Sequence, residues 1–162
     1  MQKKIPNAEA KNFGLVLASV AVALLAACTV AGTREWKIAV FPSGAEFSLE
    51  IAADDAARAR GYMFRERVGP REGMLFVFDE PGHHSIWMKN CKVSLDVVWL
   101  DAAFRVVQIA HELQPCPAEG ACPASVPMRS ASYVLEVAGG AARRAGLEPG
   151  DLIVLLEQPA RD

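Results

Sequence analysis

The chain has 162 residues, of which 17 are Lys or Arg and 19 are Asp or Glu, so its formal net charge at pH 7 is −2. This length suits one folded domain with one hydrophobic core. The chain has no excess of positive charge to attract the phosphates that dominate nucleic-acid binding, so we expect no nucleic-acid partner.

The N-terminal segment has the features of an export signal. Three lysines within residues 1–11 precede an apolar run over residues 13–27 that carries no charged side chain. This run is shorter than the roughly 20 residues that a bilayer-spanning helix needs. Residues 25–28 read LAAC, which resembles the lipobox of bacterial lipoproteins. We therefore predict that Cys28 is lipidated. The alternatives are an ordinary signal peptide or an uncleaved anchor, and either would still export the domain.

This prediction divides the chain into three parts. Residues 1–27 are a cleaved lipoprotein signal peptide, residues 28–35 are a lipidated tether, and residues 36–158 form a single β-rich domain. The mature part then carries 14 basic and 18 acidic residues, a net charge of −4. We expect its lipid to anchor it to the membrane, with the domain facing the periplasm or the cell exterior.

Short strands dominate the pattern of the predicted domain. In residues 46–52, apolar and polar side chains alternate, which is typical of a half-buried strand. Asp54 is suited to cap a short helix that stops near Gly61, and residues 141–145 form a second short helix, closed by Gly146. The predicted strands are residues 36–41, 46–52, 73–78, 84–89, 95–100, 104–110, 132–138 and 151–157. About seven or eight short strands with two short helices indicate a mainly β fold, either a β-sandwich or a partly open barrel.

Three cysteines remain once Cys28 is assigned to the lipid. Cys116 and Cys122 lie in a proline- and glycine-rich loop over residues 115–123, and a disulfide between them would constrain that loop. An exported domain meets an environment in which disulfides persist. We predict the Cys116–Cys122 pairing, with Cys91 paired to either of them as the alternative.

Six short blocks in a fixed order resemble one known family. They are residues 60–65 (RGYMFR), 73–78 (GMLFVF), 87–90 (WMKN), 95–101 (LDVVWLD), 133–136 (YVLE) and 150–151 (GD). The chain is similar over about residues 45–157 to domain of unknown function 192, whose members are small, mostly β and often exported. The resemblance implies the fold, without an established reaction. The family commonly has threonine where this chain has Cys91, so a catalytic thiol shared across the family is not expected.

Charged and aromatic side chains in these blocks suggest a polar groove. Aromatic and charged walls suit an anionic or sugar-like ligand. The alternative is a structural ion-pair network in which Lys89 or Arg65 joins strands through Asp96 or Glu136, because buried charges are usually paired. The candidate groove residues are Arg65, Trp87, Lys89, Asn90, Asp96 and Glu136.

A second candidate site contains soft-metal ligands. Imidazole, thioether and thiolate groups favour copper, and His83, His84, Met88 and Cys91 lie close together in sequence. On a straight strand, however, His84 and Met88 would lie about 13 Å apart, too far for one metal ion. The alternative is a turn with exposed histidines and methionines that pack in the core.

Enzyme motifs are weak, and no cofactor motif is found. The serines lack a nucleophile-elbow pattern, and the pair His111-Glu112 lacks the second histidine of the zinc-protease motif. Asp101 and Glu136 would suit glycoside hydrolysis only if their carboxyl groups lie at the required separation. The sequence therefore favours a non-catalytic envelope protein that binds a small ligand, a glycan or an envelope protein. The alternatives are a soft-metal-binding or chaperone-like protein and a carbohydrate-active accessory protein or hydrolase.

Overall fold

The structure is a computed structural model that describes residues 37–117 and 119–157. The predicted signal peptide, Cys28 and the tether lie outside the described residues. Neither described helix is long and apolar enough to cross a membrane. The elements in chain order are β1 (Lys37–Val40), β2 (Glu46–Ala52), α1 (Asp55–Arg60), β3 (Glu72–Gly82), β4 (Leu95–Leu100), β5 (Val106–Leu113), β6 (Ala131–Ala138), α2 (Ala141–Arg144) and β7 (Val154–Glu157).

The strands form one mixed sheet in the order β5-β4-β6-β3-β2-β1-β7. β2 and β3 are parallel, and the connection between them contains α1, because parallel neighbours require a crossover. The sheet is not closed, but Val106 donates its N–H to the carbonyl of Asp151 at 2.8 Å, and Ile153 donates to Phe104 at 3.1 Å. These bonds join the start of β5 to the segment that enters β7. The predicted mainly β fold is confirmed as a single open sheet with two short helices.

Successive side chains of a strand point to opposite sides of the sheet. A cluster of buried residues covers each side. β4 is buried at every position because core residues cover it on both sides. The side that packs against α2 is named the α2 face, and its core includes Phe47, Leu49, Leu75, Val98, Leu135 and Val137. The other side is named the cleft face, and its core includes Tyr62, Met74, Phe76, Met88, Val97, Trp99 and Val134.

The helix α1 begins and ends as the sequence predicts. Asp54 accepts the backbone N–H of Ala57 at 2.7 Å, which satisfies one of the free donors at the helix start. The helix stops at Gly61, whose φ of +44° is a conformation that side-chain-bearing residues rarely adopt. The chain then turns onto the cleft face through Tyr62.

The predicted strand over residues 84–89 is wrong. Within this segment Ile86 forms an isolated bridge with Ser125, and no described strand pairs along it. The indole N–H of Trp99 donates to the carbonyl of His84 at 2.7 Å, which attaches the segment to the cleft face instead. Ile86 and Met88 are buried while Trp87 and Lys89 are exposed, so the alternation that suggested a strand comes from packing onto the sheet.

The predicted disulfide between Cys116 and Cys122 is confirmed, with 5.3 Å between the two Cα atoms, and Cys91 is a free thiol. The N–H of Cys116 donates to the carbonyl of Met88 at 3.3 Å. The disulfide-bonded loop therefore supports the segment that crosses the cleft face. A disulfide is compatible with an exported domain.

Candidate functional site

A cleft of about 210 Å³ lies between the end of α1, β3 and the segment that crosses the cleft face. One of its lining side chains, Glu136, comes from β6 at the centre of the sheet. The lining residues are Arg58, Ala59, Arg60, Gly61, Tyr62, Met63, Phe76, Phe78, Ser85, Ile86, Trp87, Cys91 and Glu136. The cleft is therefore mostly aromatic and apolar, with a carboxyl group supplied by the sheet.

Glu136 is the most unusual polar group of the cleft. It lies on β6 between Met74 of β3 and Val97 of β4, two apolar neighbours that keep water away from it. The residue is only 5 % exposed, and its Oε2 atom has no hydrogen-bond partner among the described residues. Burial raises the pKa of Glu136 to about 8, although the nearby charge of Arg65 opposes the shift. At pH 7 the group is mainly a neutral carboxylic acid.

The cation whose charge acts on Glu136, Arg65, is bonded to another group. Arg65 forms a two-pronged ion pair with Glu50 of β2, in which Nη2 donates to Oε2 at 2.7 Å and Nη1 donates to Oε1. The hydrogen bond to Glu50 raises the pKa of Arg65. The guanidinium also lies 4.7 Å from the ring centre of Tyr62, whose own pKa is raised mainly by burial. Arg65 therefore packs against Tyr62, a residue of the cleft wall, and leaves Oε2 of Glu136 without a bond.

Gly61 brings backbone close to Glu136. A Cβ atom added at Gly61 would lie 3.2 Å from the ring of Phe76 and 3.7 Å from Oε2 of Glu136. A larger residue would fill the cleft next to the carboxyl group, and the positive φ would strain it as well. The glycine that ends α1 thus also keeps the cleft open above Glu136.

Two cations near the cleft are held by other groups. Arg58 donates from Nη1 to the carbonyls of Ala53 at 2.6 Å and Val77 at 2.8 Å, and it also pairs with Asp55. Lys89 places its ammonium 5.2 Å from the ring centre of Trp87. Trp87 lines the cleft and is 49 % exposed, so it offers an aromatic surface to a molecule that enters the cleft.

Cys91 lines the cleft as a free thiol. Burial raises its pKa to about 11, and the nearby charge of Glu136 adds to the effect. The thiolate is the nucleophilic form of cysteine, and it is scarce at pH 7 under these conditions. The cleft therefore gives little support to a catalytic cysteine.

The structure brings together part of the predicted groove. Trp87 and Glu136 line the cleft, Lys89 lies over Trp87, and Arg65 lies beside the cleft in its pair with Glu50. Asn90 supports the rim: its carbonyl accepts the N–H of Phe64 at 2.8 Å, and its amide contacts the sulfur of Met63 at 3.8 Å.

Asp96 does not belong to the groove, which corrects the prediction. Its strand neighbour Val97 faces Glu136, so the Asp96 side chain points to the α2 face. There its carboxylate accepts three backbone N–H groups, from Glu112 at 2.7 Å, Gly140 at 2.9 Å and Ala142 at 2.8 Å. Asp96 thus caps α2, whose own N-cap, Gly140, has no side chain. The sequence could not reveal this role because the residues are distant along the chain.

The candidate metal ligands are engaged in separate contacts. His83 bonds through Nδ1 to the carbonyl of Pro127 at 2.8 Å, and His84 stacks on Phe78 with ring centres 3.5 Å apart. Met88 is buried in the core of the cleft face. Over residues 37–117 and 119–157, no group of three or more His, Cys, Asp or Glu side chains is arranged to hold a metal ion. The geometry does not favour the soft-metal site, which stays a prediction.

Sequence reasoning missed several cleft residues. Gly61, Tyr62, Phe76 and Phe78 all lie in the two blocks RGYMFR and GMLFVF, which carried the family resemblance. The signal was present, but a block does not show that its side chains meet in space. Asp101, considered with Glu136 as a catalytic pair, instead accepts the N–H groups of Ala103 at 2.8 Å and Arg105 at 2.9 Å in a turn.

Comparison with known proteins gives a family and two solved structures. The model of DUF192, described as an uncharacterised ACR, matches residues 38–155. A Novosphingobium aromaticivorans DSM 12444 protein of unknown function is 31 % identical, with a TM-score of 0.68, over 78 % of this chain and 89 % of that chain. A Sinorhizobium meliloti 1021 protein described as a "putative transcription regulator" is 30 % identical, with a TM-score of 0.65, over 75 % of this chain and 92 % of that chain. No curated protein matches the chain.

Proposed function

This protein belongs to the DUF192 family, and we propose that it is a lipid-anchored cell-envelope protein whose domain binds a small ligand in the cleft above Glu136. The envelope location is supported by the lipobox-like sequence at residues 25–28 and by the disulfide between Cys116 and Cys122. The binding role is supported by the chemistry of the cleft.

The observation that carries the binding role is the unbonded Oε2 atom of Glu136. A buried polar group without a hydrogen bond costs free energy, and folded proteins seldom keep one without a reason. A ligand group in the cleft can supply the missing bond. A perturbed carboxyl group in a cleft with aromatic walls also fits the general features of a binding site.

A hydrolase is the weaker proposal. Glycoside hydrolysis uses two carboxyl groups that flank the bond to be cleaved. Among the described residues that line the cleft, Glu136 is the single carboxyl group, Glu50 is paired with Arg65, and Asp101 holds a turn. The cleft therefore fits binding better than acid–base hydrolysis.

The Sinorhizobium meliloti relative carries a regulator description, but this chain gives no reason to propose a nucleic-acid partner. The part that follows the predicted signal peptide has 14 basic and 18 acidic residues. A net charge of −4 does not attract a phosphate backbone. We therefore keep a small ligand, in free form or as the end of an envelope glycan, as the proposed partner.

The envelope location is tested with two cysteine variants of the full chain. In cells fed a labelled fatty acid, the wild type and Cys91→Ala should incorporate label and sediment with membranes. Cys28→Ala should incorporate none and should be released from the membrane fraction. Label in Cys28→Ala, or none in the wild type, would show that the anchor is not at Cys28.

The binding role is tested by protein-observed NMR on the full chain in a non-ionic detergent. The probes are monosaccharides, polyols, amino acids, small carboxylates, tetramethylammonium and inorganic phosphate at millimolar concentration. We expect at least one probe to shift signals of Trp87 and Glu136. Ser85→Trp, which fills the cleft, should lose the shifts, whereas Ser43→Trp in the exposed turn after β1 should keep them. If no probe shifts cleft signals, or if Ser85→Trp binds like the wild type, the cleft is not the binding site.

A further inference from the structure

We propose that the cleft takes an uncharged, hydroxyl-bearing group, as a sugar or polyol presents, with a ligand hydroxyl on Glu136 and apolar C–H groups against Trp87. This inference rests on the proposed binding function and names the chemical class of the ligand. Three features of the cleft support it: the buried oxygen without a hydrogen bond, the bonds that already engage the nearby cations, and the aromatic wall.

The first feature is the hydrogen-bonding capacity of Glu136. Its Oε2 atom is buried and lacks a partner in the part of the chain that the structure describes. Because burial raises the pKa of Glu136 to about 8, the neutral acid is the main form at pH 7. A neutral carboxyl group donates through one oxygen and accepts through the other, whichever oxygen carries the proton. A ligand hydroxyl can also donate and accept, so it can satisfy Oε2 in either state.

The second feature is the set of charges around Glu136. An anion beside Glu136 would need a free cation, but Arg65 is bonded to Glu50, and Arg58 is bonded to two carbonyls and Asp55. Arg60 also lines the cleft, but it is exposed at the rim, where solvent weakens any ion pair that it could form with an anion. A cationic ligand would have to approach the guanidinium groups of Arg58 and Arg60. An uncharged group avoids both penalties.

The third feature is the shape of the wall. The cleft is lined by Trp87, Phe76 and Phe78, and Trp87 is about half exposed. The C–H groups of a sugar ring pack on aromatic surfaces, while its hydroxyls bond to polar groups. The cleft volume of about 210 Å³ is below the roughly 300–1,000 Å³ of sites for drug-sized ligands. It therefore suits one ring or the end of a longer chain.

The same arrangement makes binding depend on pH. The titratable groups around Glu136 are Arg58 and Arg60 of α1, which line the same cleft, Tyr62 and Arg65 after α1, Glu50 on β2 and Cys91, while β3 and β4 contribute apolar neighbours. Arg65 and Glu50 are held in their ion pair, and burial raises the pKa values of Tyr62 and Cys91, the latter to about 11. Glu136 is therefore the group of this set that changes charge near pH 8. Above that pH Glu136 can only accept, so a ligand hydroxyl that accepts a hydrogen bond from the neutral acid loses its donor, and its affinity should decline.

The test is a titration of the full chain in a polyoxyethylene detergent, which carries neither sugar nor quaternary ammonium groups. Glucose, N-acetylglucosamine and glycerol are compared with acetate and tetramethylammonium by NMR shifts at Trp87 and Glu136. We expect a neutral probe to bind and the charged probes not to bind. Cleft binding by acetate or tetramethylammonium without a neutral probe would overturn the ligand class and leave the binding function intact. If no probe of the whole panel used for the proposed function shifts the cleft signals, both the binding function and the ligand class would be overturned.

Two substitutions decide the role of the protonated carboxyl group. Glu136→Gln keeps a donor and an acceptor at the same place, so it should bind the neutral probe within about twofold of the wild type at pH 7 and lose the decline above pH 8. Glu136→Leu keeps the volume without the polar group and should bind about tenfold more weakly. If Glu136→Leu binds the neutral probe as tightly as the wild type does, Glu136 does not contact the ligand and the inference is wrong.

Discussion

Gly61 lies so close to Glu136 that a single added carbon would reach 3.7 Å from the unbonded Oε2 atom. We expect Gly61→Ala to lower the free energy of unfolding by about 2 kcal/mol, because a positive φ disfavours alanine and the new methyl group also meets the ring of Phe76 at 3.2 Å. Urea unfolding followed by tryptophan fluorescence measures this change.

The matched control for this substitution is Gly44→Ala. Gly44 has a φ of +79°, and an added Cβ would meet nothing within 4 Å. The control therefore reports the cost of a positive φ without the contact, and its expected loss is about 1 kcal/mol. Equal losses at the two positions would mean that the close approach of Gly61 to Phe76 and Glu136 has no energetic effect.

Asp96 is expected to matter for folding and not for the cleft. Its fully buried carboxylate accepts three backbone N–H groups, so Asp96→Ala should leave donors at the start of α2 unsatisfied. We expect a loss of about 3 kcal/mol in the free energy of unfolding. Thermal and urea unfolding measure it.

Asp54→Ala provides the comparison, because Asp54 is an exposed cap with one such bond, to Ala57, and its loss should be about 1 kcal/mol. Cleft probes that bind the wild type should bind folded Asp96→Asn with unchanged affinity. If Asp96→Asn folds but loses binding, Asp96 contributes to the binding site and its exclusion from the groove is wrong.

The sequence predicted the strands better than it predicted the site. Seven strands and both helices could be found because alternation, caps and glycines act locally, as at Asp54 and Gly61. The segment over residues 84–89 failed because alternate burial there comes from packing across the sheet face and not from strand pairing.

The site was predicted only in part because it depends on which side chains share a face. Asp96 and Glu136 are both buried carboxylic residues of family blocks, but the register places Val97, and not Asp96, opposite Glu136. A shift by one residue moves a side chain to the other face, and a sequence does not show the register of distant strands. Likewise, only the folded chain shows that Arg65 forms its ion pair with Glu50.

We expect the charge of Arg65 to lower the pKa of Glu136 although the two side chains are not hydrogen-bonded to each other. Its positive charge opposes the effect of burial, so Arg65→Met should raise the pKa of Glu136 further above about 8. A pH titration of ¹³C-labelled glutamate carboxyl groups by NMR measures this shift in the full chain. Arg67→Met, an exposed arginine of the same segment, is the control and should leave the titration unchanged. A lower or unchanged value in Arg65→Met would show that the charge of Arg65 is not felt at Glu136.

The raised pKa of Glu136 also predicts how stability depends on pH. The unfolded chain releases the proton of Glu136 near pH 4.5, whereas the folded chain keeps it up to about pH 8. Within this window the folded state binds more protons, so this group makes stability fall as pH rises and level off above pH 8. At about 1.4 kcal/mol per pH unit, the loss between pH 4.5 and pH 7 is about 3 kcal/mol. Glu136→Gln has no proton to lose, so its stability relative to the wild type should rise by that amount over the same range.

Urea unfolding of the wild type and Glu136→Gln at several values between pH 4.5 and pH 9 measures this difference. Glu46→Gln, at an exposed position of β2, shows how much of any change comes from removing one surface carboxylate. If the difference between Glu136→Gln and the wild type stays constant across the window, Glu136 is ionised in the folded protein at pH 7. Its Oε2 atom would then need a partner that stabilises negative charge, and the cleft would be matched to a cation instead of a hydroxyl group.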